Sequence, residues 1–509
     1  MPRNTAGRTA TIRALAIAVG LTCTATGNAA TLRIGLSADP DSLDPTTPRV
    51  WVTTVVLNAI CDKLIDVTPD LRYVPQLATE WSWSQDGKAL QLKLRPGVRF
   101  HDGEPLDAAA VKYSIDRHRT MRGSSYQAAL SPIAGVDVVD DMTVRVNLSS
   151  PLSGPLLSRF VASAGMIVSP KAAEAAGDKF GARPVCAGPY RFVERVAQDH
   201  ITLDRFTDYW DQSRVHIDRI VYRIMPDSTV RLANLRAGAL DLIEQVPPSD
   251  LQTIAQDARV RAASATSLGH SRIYINVGRS DRAGAPLGRD ARIRQAFNLT
   301  IDRDAINQVV FGGEYAPANS WIPPTSPLYL KQIPVARRDV ARAKALLAAA
   351  GEPHPRIELM LLNVPVQLQV AEMIQAMARE AGFDLKLLAL ETAAAVNAAD
   401  KGNYEAALIG WPGFVDPDAN IYSMLACGAP LNYGGYCNRE VDRLLDAARS
   451  RADTEERVRL YTRVREILAQ DEPYIFLYHQ KWIWAHSAKL RGFVAHPDGV
   501  MRPLGLKLD

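Results

Sequence analysis

The sequence has no apolar run long enough to cross a membrane, no marked excess of charge, and no catalytic or phosphate-binding signature. In a chain of 509 residues the apolar stretch Ala14 to Leu21 falls well short of the roughly 20 residues that span a bilayer. Basic and acidic residues number 59 and 55, and so even a balance gives no electrostatic basis for nucleic-acid binding. G-x-S-x-G, H-E-x-x-H and the P-loop are all missing, so the sequence predicts that the protein is not an enzyme. The five cysteines form no C-x-x-C and the nine histidines are scattered, which implies neither a metal site nor a cofactor. Two clusters look chemical but lack the context. His101-Asp102-Gly103-Glu104 is flanked by turn residues, and the acidic group Asp39, Asp41 and Asp44 lacks the mid-loop Gly and closing Glu of an EF-hand.

What is present begins with an export signal. Arg3, Arg8 and Arg13 precede the short apolar run, and small residues follow up to Ala30, so residues 1–29 read as a signal peptide cleaved near Ala29 or Ala30. Cys23 offers a lipoprotein alternative, but Gly20-Leu21-Thr22 fits a lipidation site poorly, and a soluble periplasmic protein is expected. Loss of the leader removes three arginines and no acids, leaving a nearly neutral mature chain. It also leaves Cys61, Cys186, Cys427 and Cys437, an even number in an oxidising compartment, with three pairings open.

With 47% hydrophobic and 22% charged residues the composition is that of a soluble globular protein, and the length allows about three compact units. The most explicit local code runs from Trp81 to Arg117. Trp81 and Trp83, then Leu90, Leu92 and Leu94 after Asp86-Gly87, alternate as two strands of a hairpin. Pro96-Gly97 and Asp102-Gly103 bracket a short strand, after which Asp107 is placed to cap a helix, with Leu106 and Val111 as its staple. Another hairpin is expected around Asp140-Asp141. Residues 51–65 read as a helix with an apolar face, and YIFLYHQKWIWAHS near the C-terminus reads as one strand. Helices are expected over 339–350, with Gly351 as a stop, over 367–381, and from a capping box at Asp453 and Glu456 to Ala469.

The motif W-x-x-S-x-D-G followed by L-R-x-G-V-x-F-H-D-G-x-P resembles the signature of family-5 extracytoplasmic solute-binding proteins, the dipeptide, oligopeptide and nickel carriers of ABC importers. AGPYRF from Ala187 and RAGALDLI from Arg236 extend the likeness along the chain. The resemblance implies an α/β fold of the two-lobed periplasmic binding protein type (type II-like, cluster C) with an inserted extra subdomain. Lobe I would comprise 31–75, 186–272 and 485–509, the inserted subdomain 76–185, and lobe II 273–484. It implies a monomer that encloses a peptide or small-molecule ligand between lobes moving on a hinge and hands it to ABC permease and ATPase subunits. It also implies pairing of Cys427 with Cys437, leaving Cys61 for Cys186.

Site residues follow from the same likeness. The first loop of such carriers borders the ligand cleft, which makes Asp41, Ser42 and Leu43 candidates. In GWPGFVDPDANIY, a loop after a strand, Trp411, Phe414 and Asp416 are candidates, and Asn432 and Tyr433 of the disulfide loop are further ones. The dipeptide carriers hold the peptide's amino group with an aspartate where this chain has Phe414, and LLNVPVQLQV offers no clear counterpart to their carboxylate-binding arginine. The ligand is therefore left open among peptides, modified peptides, opines, small amines and metal chelates. A ligand-presenting sensor on the same fold and an extracellular hydrolase are the rival readings.

Overall fold

The computed structural model describes residues 1–2 and 30–509. The expected leader and Cys23 lie outside the described residues. Three sheets organise the chain. The first has seven strands in the order Val260–Thr266, Lys481–Ser487, Leu242–Ile243, Thr31–Leu36, Arg219–Ile224, His200–Arg205, Tyr190–Val196. Thr31–Leu36 runs parallel to both neighbours, and the remaining pairs are antiparallel. The second has six strands, Ala316–Pro317, Tyr474–His479, His270–Ile275, Ala406–Trp411, Arg356–Leu362 and Asp384–Leu390. Each sheet has its own buried apolar core, centred on Leu32, Ile34 and Tyr222 in the first and on Ile273, Leu359 and Ile374 in the second.

The four-stranded third sheet forms where the sequence is most explicit. Ala78–Trp83, Ala89–Leu94, Thr143–Leu148 and Ile133–Asp140 make an antiparallel sheet, in that order. Leu90, Leu92 and Leu94 are buried while Gln91 and Lys93 are exposed, as a period of two requires. Gly87 turns the first hairpin at a φ of +68°, open to glycine without strain. Asp107 accepts the Ala110 N–H at 2.8 Å and caps the helix Ala108–Thr120, whose Val111 and Ile115 cover the sheet.

Three local expectations need correction. The short strand expected between Pro96-Gly97 and Asp102-Gly103 is only an isolated bridge between Arg99 and Pro105, because the chain folds straight back on itself, Phe100 donating its N–H to the Glu104 carbonyl and Leu106 to that of Val98, both at 2.9 Å. The helix expected over 51–65 stops at Ile60, because Cys61 turns away into its bond with Cys186 and Ile65–Val67 pairs with Tyr73–Pro75. The run YIFLYHQKWIWAHS is two strands on two sheets. Tyr474–His479 pairs with His270–Ile275, and Lys481–Ser487 pairs along its whole length with Val260–Thr266. The return to the first lobe therefore falls at Gln480 rather than after residue 484. At Asp453 the cap is one-sided: its carboxylate accepts the Glu456 N–H at 2.7 Å, while the Glu456 side chain binds Arg451.

The chain passes between the two large sheets twice, at 267–269 and at Gln480, and the passages are tied together. Ser267 donates its N–H to the Gln480 carbonyl at 2.7 Å, and the Gly269 carbonyl lies 2.8 Å from His479 Nδ1. A Cβ on Gly269 would sit 2.1 Å from the Trp411 carbonyl oxygen, so only glycine fits there. Both disulfides implied by the resemblance are formed, Cys61 with Cys186 and Cys427 with Cys437.

Candidate functional site

Between the two lobes lies a cavity of about 350 Å³. The first lobe contributes Val50, Trp51 and Thr54 from the start of the helix Trp51–Ile60, and Lys63 from the turn after it. The inserted subdomain adds Tyr126, Ser158, Val161, Ala162 and Ser163, around the end of the helix Ser153–Phe160, with Arg159 beside this wall rather than in it. Pro412 to Val415 close the cavity from the second lobe, and Asp498 and Val500 of the C-terminal tail complete the wall.

The wall is apolar and aromatic on one side. Trp51 stacks on Trp482 with ring centroids 5.3 Å apart, and the buried indole N–H of Trp51 has no acceptor among the described residues. Phe414 faces the inserted subdomain, where the Arg159 guanidinium lies 4.7 Å from its ring centroid. Asn420 fixes that loop by accepting the Phe414 N–H at 2.6 Å and donating to the Phe414 carbonyl at 2.9 Å.

Charges gather at the other end. Lys63 is buried and donates to Asn58 Oδ1 at 3.1 Å and Asp66 Oδ1 at 2.7 Å. Arg502 bridges Asp66 and Asp498 at 2.8 and 2.7 Å. Burial alone would raise the Asp498 carboxyl, but the charge and hydrogen bonds of Arg502 and the charge of Lys63 together outweigh it and hold the group below its ordinary pKa. His496, buried and beside Arg502, is pushed down to about 4 and is neutral at pH 7.

Of the residues expected to touch ligand, Phe414 lies in the cavity wall. Asp41 instead accepts the Arg49 N–H at 3.0 Å and the Thr53 hydroxyl at 2.6 Å, which fastens the turn that carries Val50 and Trp51. Ser42 is hydrogen-bonded to the Asp44 N–H at 3.0 Å, and Leu43 is wholly buried in the first-lobe core. Trp411 donates its indole N–H to Asn420 at 3.1 Å, supporting the Phe414 loop from behind. Both oxygens of Asp416 are taken by Arg457 at 2.7 Å, so no carboxylate is left there for a cationic ligand. Asn432 binds the Ala426 and Tyr436 carbonyls inside the disulfide loop, and Tyr433 packs near Tyr274, ring centroids 6.2 Å apart. Sequence reasoning missed Trp51, Lys63, Tyr126, Arg159 and Asp498. The one local hint was Lys63, which with Asp62 puts a charged pair between the apolar Ala59 to Cys61 and Leu64-Ile65.

Comparison with known proteins agrees with this architecture. The glutathione-binding protein GsiB of Pectobacterium atrosepticum is 28% identical over 474 residues, 90% of each chain. The dipeptide-binding protein of Escherichia coli K12 is 28% identical over 459 residues, 84% of each. Among solved structures, HbpA2 from Haemophilus parasuis superimposes with a TM-score of 0.83 at 25% identity, over 94% of this chain and 100% of its own. The family model for bacterial extracellular solute-binding proteins, family 5 Middle, matches residues 72–432, well over half of the chain, and this protein belongs to that family.

Proposed function

We propose that this protein is the periplasmic, monomeric binding component of an ABC importer, capturing a peptide or peptide-like solute between its lobes and delivering it to a membrane permease. ATP is hydrolysed on other subunits, and the binding protein performs no chemistry of its own. The observation that carries the reading is the cavity between lobes joined by two passages at 267–269 and Gln480. Its volume of about 350 Å³ lies at the small end of the range for small-molecule sites, roughly 300–1,000 Å³. That size favours a solute of a few residues over a long peptide. The names of the relatives, a glutathione-binding and a dipeptide-binding protein, agree with such a ligand.

Native mass spectrometry of the mature protein, before and after mild unfolding, tests the proposal. The expected result is a small solute that copurifies and is released intact, with a thermal shift when it is added back to stripped protein. Release of cleaved products would refute capture without turnover. An empty protein that no solute of this class stabilises would refute capture itself.

A further inference from the structure

The charged groups around the cavity are unevenly matched. At the seam beside Phe414, Asp416 is held by Arg457 at 2.7 Å and Asp418 by Arg449 at 3.0 Å. The third arginine there, Arg159, comes from the inserted subdomain. No carboxylate lies within ion-pairing distance of it among the described residues, and its guanidinium lies over the face of Phe414. Three cations thus meet two anions at this seam, where both carboxylates are buried and the arginines Arg159 and Arg449 are half-buried. Burial lowers the pKa of Arg159, and the charges of Asp418 and Asp416, near it but not bonded to it, offset that only in part. The residues flanking it, Ser158, Val161 and Ala162, all line the cavity.

The rest of the wall has the same bias. The charged residues lining it are Arg49, Lys63 and Asp498. Asp498 is already engaged by Arg502 through both oxygens and by the Val500 N–H at 3.1 Å. Among the described residues Lys63 has two acceptors for three N–H groups, and the Trp51 N–H has none. The cavity thus offers spare donors and positive charge, and no uncommitted carboxylate for a ligand amine.

From this geometry we infer that Arg159 is the anchor for a carboxylate on the bound solute, and that the solute is an organic acid of net negative charge whose apolar part lies against Phe414 and Trp51. The inference rests on the capture reading above and narrows its ligand class. A carboxylate brought to Arg159 supplies the missing counter-charge and leaves the guanidinium its contact with Phe414, which costs the solute nothing in cation–π attraction.

The test uses full-length mature protein stripped of copurified solute, titrated by calorimetry with N-acetylated peptides of two to four residues. Each is made as the free acid and as the C-terminal amide, and reduced glutathione is included. The wild type is expected to bind at least one acid about tenfold or more tightly than its amide. Arg159→Gln is expected to abolish that preference while binding the amide within about twofold of wild type, and Arg159→Lys to restore part of it. A purely structural arginine would weaken acid and amide alike, and that result, or an acid preference intact in Arg159→Gln, overturns the inference. If amides bind wild type as well as acids, the carboxylate anchor is wrong and capture stands. If neither series nor glutathione binds and no solute copurifies, capture itself is wrong.

Discussion

Replacing Asp416 by Asn separates a ligand contact from a structural ion pair. The carboxylate and Arg457 are both about 95% buried, joined by two bonds of 2.7 Å, and Arg457 also reaches the Tyr461 hydroxyl at 3.0 Å. Asparagine keeps the shape and an oxygen for the Asp418 N–H, which Asp416 now accepts at 2.9 Å, so the loss is one of charge. At an effective dielectric near 20, unit charges about 4 Å apart attract by about 4 kcal/mol. Stranding one member of a buried pair costs about 3–5 kcal/mol in measured cases. A loss of that size lowers the melting temperature by about 6–20 °C in a unit of some 150–250 residues. Urea unfolding followed by circular dichroism, with both disulfides intact, reads the change directly. Asp416→Leu with Arg457→Met removes both charges and is expected to recover most of the loss, because two apolar side chains strand nothing. The reasoning fails if Asp416→Asn unfolds within about 1 kcal/mol of wild type, and fails most plainly if stability is kept while solute binding is lost.

Asp418 gives a pH signature. Burial pushes its carboxyl up to about 6, so between pH 6 and 4 the folded protein holds a proton that the unfolded chain releases, and this group's contribution to stability rises as pH falls through that window. Asp418→Asn cannot take up that proton, so wild type should gain on the variant by about 2–3 kcal/mol from pH 6 to pH 4 in urea melts; a pH-independent difference would contradict the assignment. The disulfides differ in the loop they close, Cys61 and Cys186 lying 125 residues apart and Cys427 and Cys437 only 10. Chain entropy then predicts a loss of about 5 kcal/mol for the Cys61→Ala, Cys186→Ala pair and about 2.7 kcal/mol for the Cys427→Ala, Cys437→Ala pair, and equilibrium unfolding that ranks them in reverse would overturn it.

What the sequence made legible was local. The Trp81–Arg117 code needs only turn glycines, alternation and a cap, all within reach of neighbouring residues, and its hairpin and capped helix form as read, while its short middle strand shrinks to a single bridge between Arg99 and Pro105. The break at Gln480 leaves no such trace. His479 and Lys481 belong to one aromatic run, and only strands more than 200 residues earlier decide that the two halves join different sheets. Cysteine number alone left three pairings, and the fold brings Cys61 to Cys186 with Cα atoms 4.9 Å apart. The cavity followed the same logic. Phe414 was visible because a loop after a strand is a natural place for a ligand contact. Arg159 drew no notice in the sequence, because its value arises when the inserted subdomain meets a loop 255 residues later in number. Trp51 likewise read as one more apolar helix position until Trp482 stacked on it.

The bonds from Ser267 to Gln480 and between Gly269 and His479 have a kinetic meaning. Two bodies on a single tether swivel, twist and drift independently, so a bound molecule escapes through many small gaps. Tethered by two parallel threads knotted side by side, they are left with close to one coordinate, like a book on its spine. Escape then waits for a single event, and the dwell time of the cargo becomes one exponential with one activation barrier. A partner that pries at the far edges acts on that same coordinate with the leverage of the whole lobe.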